Sequence, residues 1–249
     1  MEAFYATNNQ FQKAGPKGFV EVKVLENDKV YVRVDLPGVP DDAVRLRVDA
    51  VRQKVVFFSD ETVHDMDGVR EYSGTAVLGC DCCEITGLED VKMKDGVLRM
   101  ILSRSRVKVN KDQQNHNNND KCTLTVPPFT GQSGIRLEDH PYIVKGRKGV
   151  LFGTAIVGTG LYYAADLPSV YKDDVQVDVY ENGIRFKAEI KDAYEHDGSG
   201  RTYVGLIISP PSRFLPVVSS HTISWDVEFG VLKIVVIPPG NNNNNNNAG

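Results

Sequence analysis

The amino-acid sequence predicts an all-β protein built from two tandem β-sandwiches. Three observations lead to this prediction: the sequence repeats itself, apolar and polar residues alternate in short runs, and turn signals separate these runs. The chain of 249 residues has room for two domains of ordinary size, and 41% of its residues are hydrophobic, enough to form two cores.

The internal repeat is an ungapped match of the sequence with itself at an offset of 131 positions, from Gly15 to Gly74. In this register the run Asp35-Leu36-Pro37 falls on an identical run at Asp166-Leu167-Pro168. Further along, the offset grows to 134 and aligns 96–98 with 230–232. One register that holds over 60 positions indicates a duplication, and each copy is long enough to enclose its own core. The copies are called the first and the second repeat below.

Within each repeat, apolar residues alternate with polar ones at a period of two. The clearest runs are 30–34 and 44–48 in the first repeat, and 175–179 and 184–190 in the second. β-Branched residues dominate the apolar positions, as in half-buried strands. We therefore expect the apolar side chains to lie between two sheets and the charged alternates to face water.

Turn signals end several of these strands. Leu36-Pro37-Gly38 has the Pro-Gly pair of a type II turn, and Lys94-Asp95-Gly96 has the Asp-Gly pair of a β-hairpin. Short alternating strands with such turns between them predict a sandwich. No run has the spacing of an amphipathic helix.

Short motifs recur in the same order in both repeats. They are Asp35–Val39, Asp41-Asp42, Arg70–Gly74 and Gly96–Leu98 in the first repeat, and Asp166–Val170, Asp173-Asp174, Arg201–Gly205 and Gly230–Leu232 in the second. On a background of strands, this order and spacing resembles the α-crystallin domain of small heat-shock proteins. The doubled arrangement, with an Asn-rich joint, resembles plant proteins of this superfamily.

The resemblance implies a more specific fold and function. Each sandwich would be immunoglobulin-like and of the α-crystallin domain type. The protein would be an ATP-independent chaperone that holds partly unfolded proteins through β-edge and groove contacts, and it could form a homo-oligomer. One segment departs from plant and bacterial relatives: residues 60–69 are short where those relatives exchange a strand between partners.

The resemblance also places a groove between the fourth and eighth strands of each domain, where an edge strand offers unpaired backbone groups to an extended peptide. The predicted peptide- or client-binding residues are Val44, Leu46, Val48, Val91 and Met93 in the first repeat, and Val175, Val177, Val179, Ile223, Trp225 and Val227 in the second. Any one of them could instead be only a core residue. Val107–Val109 and Leu124–Val126 could dock into such a groove.

The predicted domain bounds are 18–104 for the first sandwich and 135–239 for the second. Residues 105–134 between them form an Asn-rich flexible linker, because the stretch 110–121 has no apolar residue with which to bury surface. Residues 240–249, with seven consecutive asparagines, form a disordered tail.

Composition and charge exclude several classes of protein. The net charge of −4 without a clustered basic patch argues against nucleic-acid binding. No window reaches the roughly 18 consecutive apolar residues of a spanning helix, and residues 1–17 lack the pattern of a signal peptide, so we expect no membrane association. Four cysteines fit a reducing compartment. The expected location is cytoplasmic, and diffusion into the nucleus stays open for a chain of this size.

Cysteines and histidines do not form a recognisable reactive site. Cys80, Cys82 and Cys83 lie close together, but Cys122 and His116 are far along the chain, in the linker, so the spacing does not predict a metal site. A redox-sensitive thiol stays open as an alternative. The five histidines are dispersed, and no nucleophile motif accompanies them. We therefore expect no enzyme activity, no metal and no cofactor.

Two functions remain from the sequence. The first is the ATP-independent chaperone, whose partners are partly unfolded clients. The alternative is a non-chaperone adaptor or scaffold that uses the same edges to join specific protein partners. The sequence does not distinguish individual clients or partners, the oligomeric state, or inducibility by heat.

Overall fold

The structure, a computed structural model, describes residues 12–14, 20–49, 54–64, 66, 68–77, 83–106, 144–145, 151–156, 160–180, 183–190, 194–197, 200–208 and 222–239. Within these ranges all regular structure is antiparallel β-strand except one 3-10 turn, Lys172–Asp174. The all-β prediction is confirmed. No helix in the described part of the chain is long and apolar enough to cross a membrane.

Ten strands belong to the first repeat and the short segment before it. They are β1 (Gln12–Ala14), β2 (Val20–Val24), β3 (Lys29–Asp35), β4 (Val44–Asp49), β5 (Lys54–Ser59), β6 (Thr62–His64), β7 (Gly68–Arg70), β8 (Ser73–Val77), β9 (Cys83–Lys94) and β10 (Val97–Arg106). Eight strands belong to the second repeat and the segment before it. They are β11 (Val144–Lys145), β12 (Leu151–Ile156), β13 (Gly160–Asp166), β14 (Val175–Tyr180), β15 (Gly183–Glu189), β16 (Thr202–Ile208), β17 (Thr222–Glu228) and β18 (Val231–Ile237).

The two repeats form their sheets in the same strand order. In the first repeat one sheet has the order β2-β3-β10-β9 and the other contains β8-β5-β4. The second repeat has the corresponding orders β12-β13-β18-β17 and β16-β15-β14. Strands β6 and β7 form a separate hairpin. The matching orders agree with the duplication that the sequence predicts.

A hydrophobic core lies between the two sheets of each repeat. In the first core, Val32 and Leu98 come from one sheet and Phe57 from the other. In the second core, Ile234 and Phe186 come from opposite sheets in the same way. Val32 and Phe186 lie in runs whose period-two pattern predicts such inward-facing positions.

Each repeat also adds a strand to a sheet of the other. Strand β1, which precedes the first repeat, pairs with β16 of the second, with Gln12 opposite Tyr203. Strand β11, which precedes the second repeat, pairs with β8 of the first, with Val144 opposite Gly74. Residues 13–14 and 144–145 are themselves 131 positions apart, so the exchange is reciprocal. Bounds of 18–104 and 135–239 for separate domains stay a prediction.

The expectation that the charged alternates face water is wrong on β3 and β10. Arg33, which alternates with the valines of β3, is 0% exposed, and Arg99 on β10 is 4% exposed. Tyr31 is buried on the same face. The reason is that this outer face lies against the second repeat, where Asp197 accepts hydrogen bonds from Tyr31 and Arg99.

The predicted turns are confirmed. Gly38 has a φ of +85°, and the Val39 amide donates to the Leu36 carbonyl at 3.2 Å, as in a type II turn. A Cβ at Gly38 would lie 2.4 Å from Cδ of Arg70, so the close approach of this arginine also requires glycine. Asp95 and Gly96, with φ of +49° and +71°, form the hairpin turn between β9 and β10.

Candidate peptide-binding edges and the contact between the repeats

In the first repeat, β4 and β9 are end strands of the two facing sheets, and they contact each other. We call the pair the first groove. Among the described residues, each of these strands has a hydrogen-bonded neighbour on one side only. Of the predicted binding residues, Val44, Leu46 and Met93 are half-buried and pack against the core, whereas Val48 and Val91 are exposed. The groove therefore has a packed floor and two apolar side chains open to a ligand.

In the second repeat, β14 and β17 are the corresponding end strands, and we call them the second groove. Val175 is buried and Val177 is half-buried, both in contact with the core, and Val179 is exposed. The remaining predicted residues of this groove are half-buried and pack on the same core; they are Ile223, Trp225 and Val227. Strand β17 also contacts the 3-10 turn Lys172–Asp174, which leads into β14.

A lysine lies beside the tryptophan of the second groove. The Nζ atom of Lys172 is 5.8 Å from the centre of the Trp225 ring and 3.1 Å from the Asp226 carboxylate. The hydrogen bond from Lys172 lowers the pKa of Asp226, so this exposed carboxyl is ionised at neutral pH. The side chains of the second groove are thus apolar on the inner face and charged on the outer face.

Edge strands of this kind can bind an extended peptide. Their outward N–H and C=O groups can form a new antiparallel or parallel ladder, and alternate side chains of the added strand can contact the apolar residues between the two sheets. Such binding needs no reactive group. The described residues show where the predicted binding residues lie; their binding role stays a prediction.

The contact between the repeats is built on two reciprocal ion pairs. Arg70 of the first repeat donates to Asp166 of the second at 2.8 Å, and Arg201 of the second donates to Asp35 of the first at 2.9 and 3.1 Å. All four side chains are buried. The two arginines are 131 positions apart, and so are the two aspartates, which makes the pairs equivalent under a pseudo-two-fold relation.

Burial and neighbouring charges shift the pKa values of Arg201 and Tyr203 at this contact. Burial alone would lower the pKa of the Arg201 guanidinium, but the negative charge of Asp35 raises it above its ordinary value. Burial raises the pKa of Tyr203, whose hydroxyl donates to the Pro168 carbonyl at 2.9 Å. Tyr72 donates to the Pro37 carbonyl at 3.0 Å in the first repeat. The two tyrosine hydroxyls thus bind equivalent carbonyls in the Pro-containing turns of the two repeats.

Backbone hydrogen bonds repeat the same reciprocity. The Gly38 amide donates to the Phe229 carbonyl at 2.8 Å, and the Ser169 amide donates to the Asp95 carbonyl at 2.9 Å. Each bond joins the Pro-containing turn of one repeat to the hairpin turn of the other. The turns that end the strands therefore also form the contact between the repeats.

Residues 1–239 match the model of a family described as "Predicted plant small heat shock protein". The chain belongs to this family. A protein of Arabidopsis thaliana named "Putative 57 kDa heat shock protein" is 37% identical over 110 residues, which make up 43% of this chain and 20% of that protein. The chain thus spans about a fifth of that relative's length.

Sequence reasoning identified Asp35 and Arg70 as repeated motif residues but did not assign them a partner. The repeat alignment contained the signal, because an arginine and an aspartate occur at equivalent positions in both copies. A buried arginine needs a carboxylate partner, and duplication supplies one in the other copy.

The remaining predicted features are placed only in part. Cys83 is buried at the start of β9, whereas Cys80 and Cys82 lie outside the described residues. No group of metal-binding side chains occurs among the residues that the structure describes. The linker segments Val107–Val109 and Leu124–Val126, and the Asn-rich tail, also lie outside them.

Proposed function

We propose that this protein is an ATP-independent chaperone that holds partly unfolded proteins by adding their extended segments to the first and second grooves. The observation that carries the proposal is the contact between β4 and β9, the end strands of the two facing sheets in the first repeat, with apolar side chains between and beside them. Partly unfolded proteins expose extended apolar segments, which are the ligands that such edges can pair with. Family membership supports the chaperone class.

The experiment measures heat aggregation of a labile client enzyme by light scattering, with and without the protein and without ATP. Suppression by equimolar protein is expected. Val48→Lys combined with Val179→Lys should abolish most of this suppression, because a charged side chain on an edge strand opposes the addition of another apolar strand. The matched control is Val63→Lys combined with Val69→Lys, which changes two exposed valines of the β6–β7 hairpin.

Two results would contradict the proposal. One is a wild-type protein that leaves client aggregation unchanged. The other is a groove variant that protects the client as well as the control variant does, since the binding would then lie elsewhere.

A second candidate is an adaptor that joins specific protein partners through the same edges. This candidate is favoured by the contacts that the two repeats make with each other within one chain. Strands β1 and β11 each join a sheet of the opposite repeat, and buried ion pairs connect the two repeats. Light scattering after size-exclusion chromatography at resting and raised temperature discriminates the two. A stable monomer that binds few stoichiometric partners supports the adaptor, and a large assembly that protects clients supports the chaperone.

A further inference from the structure

The two grooves carry opposite charges at equivalent positions. In the first groove, Arg47 on β4 and Lys92 on β9 flank the apolar residues. The equivalent positions in the second groove, at offsets of 131 and 134, are Asp178 on β14 and Asp226 on β17. Two cations in one groove thus correspond to two anions in the other. The reversal continues at the strand ends, where the equivalent of Lys94 is a glutamate.

These charged residues are accessible to a ligand. Arg47, Lys92 and Asp226 are exposed, and Asp178 is partly exposed. They alternate along their strands with the apolar groove residues, so they project from the opposite face of each sheet. A strand that pairs with β4 or β14 places its own alternate side chains beside them.

Neighbouring cations reduce the difference, because Arg185 lies opposite Asp178 and Lys233 lies opposite Asp226 in the strand registers. Both cations are on the inner neighbouring strands, one strand further than Asp178 and Asp226 from a strand that is added at the edge. Arg45, also on β4, is paired with Asp60 through two hydrogen bonds of 2.9 and 3.0 Å. Asp226 is paired with Lys172. Both are exposed pairs, which are weak and can exchange with the charges of a ligand. Over 44–48 and 91–93 every charged residue is basic, and over 175–179 and 223–227 every charged residue is acidic.

We propose that the two grooves select extended segments of opposite charge. The first groove binds segments in which apolar residues alternate with aspartate or glutamate, and the second binds segments in which they alternate with lysine or arginine. This selectivity rests on the proposed function, because it assumes that the grooves bind extended segments. One chain would then hold two differently charged segments of an unfolded client at once.

A client segment fits these charges better than a second copy of the chain does. In each groove the segments that flank the apolar residues carry charges of one sign, basic over 44–48 and 91–93 and acidic over 175–179 and 223–227. A second copy of the chain would offer β14 to the first groove. Asp178 is the only charged residue of β14. A segment with several alternating carboxylates satisfies the first groove more fully.

The test uses two peptides of about ten residues, in which valine alternates with either glutamate or lysine. Trp225 is the single tryptophan of the chain, so its fluorescence reports binding at the second groove. The double variant Trp225→Phe, Val91→Trp moves this reporter to the equivalent position of the first groove. From two cross-strand charge pairs per groove, we expect roughly three- to tenfold selectivity at low salt.

The wild-type reporter should favour the lysine peptide, and the relocated reporter should favour the glutamate peptide. Both preferences should shrink at 0.5 M salt, where screening is strong. Adding Arg47→Asp and Lys92→Asp to the relocated reporter should convert the first groove to a preference for the lysine peptide. The matched control, Arg185→Asp with Lys187→Asp on β15, changes two exposed cations outside the first groove and should leave the preference of the relocated reporter unchanged.

Three results would overturn the selectivity. Equal affinity of both peptides at both reporters leaves edge binding intact but removes the role of charge. The charge-reversal variant could instead change the mass of the protein in light scattering without changing the peptide preference. In that case the grooves bind a second copy of the chain rather than a client segment. Failure of both peptides to bind at either reporter also removes the proposed function.

Discussion

Residues 66 and 197 occupy equivalent positions in the two repeats, and the chemistry around them is opposite. Met66, between β6 and β7, packs against the buried cluster of Tyr162, Ala164 and Val231 in the second repeat. Asp197 accepts hydrogen bonds from Tyr31 and Arg99 of the first repeat. The offset of 131 relates the two contacts. A pseudo-symmetric arrangement is therefore maintained by an apolar contact on one side and an ionic one on the other.

The ionic side contains several charged and aromatic groups. The guanidinium carbon of Arg99 lies 3.6 Å from the centre of the Tyr194 ring, and Lys23 donates to the His196 carbonyl at 2.7 Å. Burial alone would raise the pKa of Asp197, but the hydrogen bonds from Arg99 and Tyr31 lower it below its usual value. Equivalent positions of the two repeats thus make contacts of different chemistry, and the ionic contact contains a carboxyl whose pKa is shifted.

The largest expected effect lies between these two sides, in the reciprocal ion pairs. Arg70→Ala and Arg201→Ala should each lower the free energy of unfolding by about 3–5 kcal/mol, because each removes a buried guanidinium that pairs with a buried aspartate. Urea unfolding measures them, and Arg45→Ala in an exposed pair is the control that should change little. A loss no larger than that of the control would contradict a stabilising role for the buried ion pairs.

At the Asp197 and Met66 contacts, the losses in the free energy of unfolding should differ. Asp197→Ala should cost about 2 kcal/mol, because Arg99 loses a charged hydrogen-bond partner in a buried setting. Met66→Ala should cost about 1 kcal/mol, because the side chain is only half-buried and loses part of its apolar contact. The measurement is again urea unfolding at pH 7. A larger loss for Met66→Ala would contradict the expectation that the Asp197 contact stabilises the protein more than the Met66 contact does.

The smallest expected effect is a difference in how the Asp197 and Met66 contacts contribute to stability at different pH values. A carboxyl whose pKa is lowered in the folded state adds stability above its unfolded pKa of about 3.9, and this stability is lost as the pH falls through the folded pKa. The destabilisation caused by Asp197→Asn should therefore be smaller at pH 3 than at pH 7. The destabilisation caused by Met66→Ala should be the same at both. An Asp197→Asn effect that does not change with pH would contradict the ionic account.

The all-β fold and its turns could be predicted from local patterns. Alternation at a period of two identifies strands such as β3, and the Pro37-Gly38 and Asp95-Gly96 pairs identify turns. The burial of Arg33 could not be predicted in this way. Alternation indicates one buried face, whereas the opposite face of β3 is covered by residues that lie far along the chain.

The candidate site was predicted from resemblance more than from physics. Alternation shows that Val44 and Val175 face a core, but it does not show that β4 and β14 end their sheets. Strand order is a property of long-range pairing, which no local pattern contains. The exchange of β1 and β11 was missed for the same reason, since a strand of two or three residues has no recognisable period.

Hydrogen exchange of the backbone amides, followed by mass spectrometry, tests directly whether the exposed borders of the sheets do the binding. The protein is compared alone and with a heat-unfolded client bound. We predict slower exchange in Val44–Asp49 and Val175–Tyr180, because an added strand accepts hydrogen bonds from amides that otherwise face solvent, and no comparable change in the central strands β3 and β13. Unchanged exchange in both edge strands while the client stays bound would contradict the account.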